Sequence, residues 1–142
     1  MTLTNWQYIK PEKGRKIESA VIFLHGYGAN GNDLLNIGQL WQKDLKNTLF
    51  AAPNAPFKCK FEGNPAVEEV KSFMWFDLSS YDKIGEGLKK AGTYLMDYLD
   101  EFKKKFSLEN NQIIFFGFSQ GAMMSPYHLP KLSKNIAGLL AY

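Results

Sequence analysis

The residues best equipped for chemistry fall in two short runs, Gly117-Phe118-Ser119-Gln120-Gly121 and His25-Gly26-Tyr27-Gly28. The first fits G-x-S-x-G, a sharp strand-to-helix turn that holds a serine exposed as a nucleophile. Glycines are needed at 117 and 121 because side chains there would collide with the adjoining strand and helix. With 12 glycines in 142 residues, the pattern alone arises by chance in roughly one such sequence in eighteen, so its setting must decide. The setting is met: the apolar run IIFF enters the turn and the helix-compatible AMM leaves it. Attack by Ser119 on an acyl carbon would create a tetrahedral oxyanion, which needs two backbone N–H donors. One would come from Gln120, after the nucleophile, and one from Tyr27, in an early strand-to-helix loop. His25 adjoins a glycine turn at a strand end, where bracing the loop by hydrogen bonding is the expected role rather than catalytic titration.

These runs have to be positioned by a sheet. Trp6 to Ile9 reads as a short strand, and SAVIFL (Ser19 to Leu24) and TLFAA (Thr48 to Ala52) read as buried ones, being continuous apolar runs bounded by turn signals. Between the last two, Asn32 or Asp33 is expected to cap a helix carrying Leu34, Leu35, Ile37, Leu40 and Trp41. Pro53 to Ser72 is an irregular excursion longer than an ordinary connector. From Asp82 to Phe106 apolar residues recur every three or four positions, the period of an amphipathic helix. Gln112 to Phe116 is a further buried strand leading into the elbow, and Ile136 to Tyr142 (IAGLLAY) another. Strands alternating with helices mean a mostly parallel sheet with helices on both faces, here expected as a single domain over 1–142.

Composition narrows the function classes. Hydrophobic residues make up 45% and charged residues 22%, ordinary for a globular chain. The first twenty residues lack the apolar run of a signal peptide and no membrane span is present, so a cytoplasmic location is expected. A net charge of +3 with 17 scattered Lys and Arg does not argue for nucleic acid, and Lys103 to Lys105 reads as a solvated helix end. Cys59, the single cysteine, reads as a bystander thiol in a loop.

The chain resembles the acyl-protein thioesterase and carboxylesterase/phospholipase group of small α/β-hydrolases. The resemblance rests on LHGYGAN (Leu24 to Asn30), PNAP (Pro53 to Pro56), SFMWFDL (Ser72 to Leu78), FFGFSQGAMMS (Phe115 to Ser125) and IAGLLAY, in family order. It implies hydrolysis of carboxylic esters or thioesters without cofactor or metal, on a small-molecule or lipid ester or an acylated protein. It also implies that Trp75 and Phe76 lie near the acyl site as pocket walls; the plainer reading of Trp75 is a core tryptophan. Tyr27 stands where the family usually has leucine, which keeps the backbone donor and alters the acyl pocket. Pro126 and Pro130 fall where the family has an uninterrupted helix, so that helix should be short or broken.

The resemblance also places the catalytic Asp and His after later strands, so the fold is expected to be truncated before them. Residues inside the chain do not replace them. His128, nine residues beyond Ser119, would lie about 13 Å along a continuous helix, and Asp33, Asp77 or Asp82 without a placed imidazole cannot activate serine. The first expectation is therefore a serine hydrolase that is inactive as this chain alone. The rivals are a non-catalytic remnant, half of a split hydrolase that binds a C-terminal partner, and a binding module on the same fold. Uncharged IAGLLAY, with no polar alternation, suits a strand covered on both faces, and self-association through it is expected.

Overall fold

A computed structural model of the chain describes residues 6–59, 72–124 and 136–142. Pro126, His128 and Pro130, and most of the Pro53 to Ser72 excursion, lie outside the described residues. In chain order the elements are β1 (Gln7–Ile9), β2 (Ser19–Leu24), α1 (Gly31–Trp41), β3 (Thr48–Ala52), β4 (Phe57–Lys58), β5 (Phe73–Met74), α2 (Tyr81–Phe106), β6 (Ile113–Gly117) and β7 (Gly138–Ala141). The main sheet has the order β1-β3-β2-β6-β7. It is parallel throughout except for β1, which runs antiparallel to β3. The apolar runs SAVIFL and TLFAA form β2 and β3 over the expected residues, since strands buried on both faces show no polar alternation to blur their ends.

Alternate residues divide between two cores. Ala20, Ile22 and Leu24 of β2, Leu49 and Ala51 of β3 and Ile113 and Phe115 of β6 pack against Ala91, Leu95, Tyr98, Leu99 and Phe102 of α2. The intervening Val21, Phe23, Phe50, Ala52 and Phe116 meet Leu35 and Trp41 of α1 on the other face. Helices therefore cover both faces of a mostly parallel sheet. The close fit of α1 needs Gly38, where a Cβ would stand 2.8 Å from Cβ of Phe50.

The start of α1 differs from expectation. Its cap is Asn30, whose side chain accepts from Asn32 N–H (2.9 Å), while Asp33 returns a bond to Asn30 N–H (3.0 Å). This reciprocal capping box places Asp33 inside the first turn, where a carboxylate also suits the positive end of the helix dipole. Of the apolar residues that α1 carries, Leu35 is buried while Leu40 is 67% exposed. α2 starts at the cap Ser80 and ends at Ser107, whose φ of +53° breaks the helical path.

Candidate active site

β6 runs into Gly117, and the backbone reverses at Ser119, whose φ is +51°, before residues 120–124 turn helical. A left-handed conformation costs a residue with a side chain roughly 1–2 kcal/mol, so the surroundings have to impose it. Phe118 N–H donates to Leu24 O (3.0 Å), Ser119 N–H to Tyr142 O (2.7 Å) and Gly121 N–H to Phe118 O (2.9 Å). The flanking glycines let these elements close together. A Cβ on Gly117 would stand 2.6 Å from Gly121 O, and one on Gly121 would overlap Leu24 O and stand 2.9 Å from His25 O.

Ser119 is exposed, and the loop after β2 lies against it: a Cβ on Gly26 would be 3.3 Å from Ser119 Cβ. Glycine at 26 thus keeps space beside the nucleophile. Among the described residues, the backbone N–H groups of Tyr27 and Gln120 donate to no protein acceptor. Gln120 opens a helix, whose first amides have no intrahelical partner, and an oxyanion would accept from both donors.

His25 is fully buried and locked. Ala55 N–H donates to its Nε2 (2.9 Å), so the ring proton sits on Nδ1 and bonds Gly26 O (2.7 Å). Burial holds its pKa below the ordinary value, against smaller raising effects from the Gly26 bond and Asp33. With both nitrogens engaged, the imidazole braces the loop. Its depressed pKa also has a consequence for stability. Above about pH 6.5 folded and unfolded chains both hold His25 neutral; as pH falls, only the unfolded chain gains the proton, so stability is lost toward the lower folded pKa. The expected result is a His25 NMR resonance that does not titrate near pH 6.5, and a His25→Asn variant with a weaker acid dependence of its unfolding midpoint than the native chain.

The segment 72–76 laces the same loop. Gly28 N–H donates to Phe73 O and Phe73 N–H to Ala29 O, each at 2.9 Å, and Ser72 Oγ donates to Gly28 O at 2.8 Å. Trp75 Nε1 donates to His25 O (2.9 Å). Both Trp75 and Phe76 have zero exposure: Trp75 is packed under the loop as a core residue, and neither ring presents surface to a ligand.

Sequence reasoning missed the Gln120 side chain. Buried at 2% exposure, its Oε1 accepts from Trp75 N–H (2.8 Å) and its Nε2 donates to Phe76 O (2.7 Å). One amide therefore pairs with the 75–76 backbone as a neighbouring strand would, tying the elbow to the segment that holds the oxyanion loop. Of the apolar surface near Ser119, sequence reasoning reached only Tyr27. Phe118 is 50% exposed, Met123 47% and Tyr27 47%; Phe118 occupies an open position of the elbow pattern and Met123 lies two residues beyond it. Cys59, expected to be a bystander, sits beside Tyr27. The Tyr27 hydroxyl has a raised pKa, owing first to Cys59 and then to burial, the hydrogen bond with Cys59 and Asp77.

A mostly parallel sheet clad by helices on both faces, with a strained serine turn at the end of β6 beside the central strand β2, defines an α/β-hydrolase. Residues 8–142 match the phospholipase/carboxylesterase family, and the chain belongs to that family. It is 32% identical over 138 residues to acyl-protein thioesterase 1 of Candida albicans, covering 92% of this chain and 58% of that one. With acyl-protein thioesterase 1 of Cryptococcus neoformans it shares 23% identity over 145 residues, 97% of this chain and 59% of that one. Among solved structures, esterase PE8 superposes with a TM-score of 0.77 at 32% identity, over 95% of this chain and 64% of that one. The chain thus spans about 59% of the length of such relatives. Among the described residues no helix is long and apolar enough to cross a membrane.

Proposed function

We propose that the chain forms the nucleophile-bearing part of a cytoplasmic serine hydrolase of carboxylic esters or thioesters. The observation that carries this reading is Ser119 itself: exposed, at φ +51°, and flanked by the N–H donors of Tyr27 and Gln120, which meet no acceptor among the described residues. In the first half-reaction Ser119 Oγ bonds to the acyl carbon, its proton passes to a base, and the oxyanion rests on the two N–H groups. The carbonyl then re-forms, and the alcohol or thiol leaves with a proton, giving the acyl-enzyme. Water attacks the same carbon in the second half and releases the acid. The apolar surface of Phe118, Met123 and Tyr27 supports an acyl chain at this site better than the buried Trp75 and Phe76 do. The name of the Candida albicans relative supports an acylated protein as the substrate, and the description of the family, phospholipase/carboxylesterase, supports a lipid ester.

Among the described residues no imidazole or carboxylate hydrogen-bonds Ser119 Oγ, and His25 is committed to its loop. A serine without its base keeps only the contribution of binding and the oxyanion site. The 142-residue chain is therefore expected to hydrolyse p-nitrophenyl acetate barely above background, with Ser119→Ala changing little. A version extended to the length of its relatives should gain at least about 10³-fold, all of it lost in Ser119→Ala. Ordinary Ser119-dependent turnover by the short chain would mean that it contains a base; an extended chain indifferent to Ser119→Ala would remove the hydrolase reading.

A second reading, half of a split hydrolase or a non-catalytic remnant, draws on β7. This strand ends the sheet among the described residues, and Leu139, Leu140 and Tyr142 are 36%, 42% and 72% exposed. Apolar edges recruit other chains, so association through β7, with itself or with a C-terminal partner, belongs to this proposal.

A further inference from the structure

Folding gathers charge that is scattered in the sequence. The connector before β2, the one before β3, and the last turn of α2 with its link to β6 all meet at the end of the sheet where the parallel strands begin. They are laced together: Gln42 Nε2 donates to Lys10 O (2.7 Å), Glu18 N–H to Asn47 O (2.9 Å) and Gln112 Nε2 to Glu18 O (2.8 Å). Residues 10–18, 42–47 and 103–112 carry nine of the 17 Lys and Arg but four of the 14 Asp and Glu. This end is thus more positive than the whole chain at +3, and the remainder is net negative. Eight of the nine cations are exposed; Lys103 is half-buried and engaged with Asp100 (3.2 Å) and Asn110 (3.0 Å).

Aromatic and apolar surface accompanies the charge. Lys105 Nζ lies 4.6 Å from the Trp6 ring centre and 5.0 Å from that of Tyr8, and Lys10 Nζ lies 5.8 Å from Tyr8. Tyr8 is 37% exposed, and Leu45, among the lysines of the second connector, 43%. Long-stemmed cations beside half-exposed rings are the side chains that settle at the headgroup level of a bilayer, the rings at the apolar boundary and the charges toward phosphate. Nucleic acid would be served by the same charge but gives no reason for an exposed leucine.

We propose that this end of the domain docks on an anionic lipid surface. Docking there leaves Ser119, at the opposite ends of the parallel strands, facing away from the bilayer and open to substrates from solution. The binding is peripheral, electrostatic in its larger part and reversible. It does not depend on Ser119 being a nucleophile.

The test is co-sedimentation of the 142-residue chain with phosphatidylcholine vesicles with and without phosphatidylserine. Binding is expected only with phosphatidylserine and should disappear as salt rises from about 0.05 to 0.5 M. Each lysine near the surface is worth about fivefold in partitioning. Lys104→Glu/Lys105→Glu and, on a different connector, Lys43→Glu/Lys46→Glu should therefore each weaken binding by more than about tenfold. All four side chains are exposed, and circular dichroism would verify that both variants fold. Lys89→Glu, on the same helix but about 22 Å from Lys104 along its axis, should retain most of the binding. Equal binding to both vesicle types would overturn the proposal, as would an equal loss for Lys89→Glu. A single-stranded RNA that competes the protein off the vesicles and binds it more tightly would assign the face to nucleic acid instead.

Discussion

Gly121→Ala should unfold the elbow rather than adjust it. The added methyl would overlap the carbonyl oxygen of Leu24, with the Leu24 carbonyl carbon at 2.5 Å and His25 O at 2.9 Å. Neither obstacle is a side chain that can rotate away; both are backbone at or just past the end of β2, where Leu24 pairs with Gly117 of β6 and accepts from Phe118 N–H. Overpacking into yielding side chains costs about 1–3 kcal/mol, so a collision with fixed backbone should reach at least about 3 kcal/mol, a large share of a domain's usual 5–15. For a chain of this length that corresponds to a fall of roughly 10 °C in the thermal midpoint. Gly85→Ala provides the contrast. A Cβ there meets nothing within 4 Å, and in the interior of α2 alanine should stabilise by about 0.5–1 kcal/mol. Thermal unfolding of both variants checks the pair, and a Gly121→Ala chain melting within a degree or two of the native one would mean that the turn is not closed as described.

The contrast between these glycines marks what the sequence could convey. Both glycines lie beyond the reach of composition or periodicity; a motif singled out Gly121, and its reason is steric and visible locally. Likewise β2 and β3 could be bounded to the residue, because strands buried on both faces are uniformly apolar and stop where polar residues begin. The cap of α1 was missed because Asn30, Asn32 and Asp33 all qualify chemically, and only the backbone angles decide which one stays outside the first turn. The packed state of Trp75 was open for another reason: a tryptophan lining a pocket and one filling a core have the same local sequence. The gathering of lysines at one end of the sheet was illegible because it depends on three connectors, far apart in the chain, meeting through strand order. The side chain of Gln120 belongs with these. Its two partners lie 45 and 44 residues away, and nothing near position 120 signals that an amide must reach them.

That side chain makes an exacting test, because glutamine and glutamic acid differ there by one hydrogen-bond donor. In Gln120→Glu the shape is kept and the acceptor for Trp75 N–H survives, but an ionised carboxylate cannot donate to Phe76 O. A charge would then be buried facing a carbonyl oxygen, a situation that costs about 3 kcal/mol or more when no compensating partner exists. Burial should raise the pKa of the introduced acid above its unfolded value of about 4.3. Below that value the acid is protonated in both states and can donate to Phe76 O, so the variant should approach native stability. As pH rises the unfolded chain releases the proton while the folded chain retains it, so stability falls until the raised folded pKa is passed and then levels off. This is the reverse of the native dependence set by His25, which loses stability as pH falls, and subtracting the native curve isolates position 120. Urea unfolding of both chains between about pH 4 and pH 8 should therefore give a deficit that grows with pH. A deficit that is the same at every pH, or none at all, would mean that the side chain is not held between Trp75 N–H and Phe76 O. The same curves bear on the nucleophile turn, since Gln120 supplies a proposed oxyanion donor from its backbone while its side chain fixes where that backbone sits. In the version extended to the length of its relatives, hydrolysis by Gln120→Glu should decline along the same pH interval as its stability deficit grows.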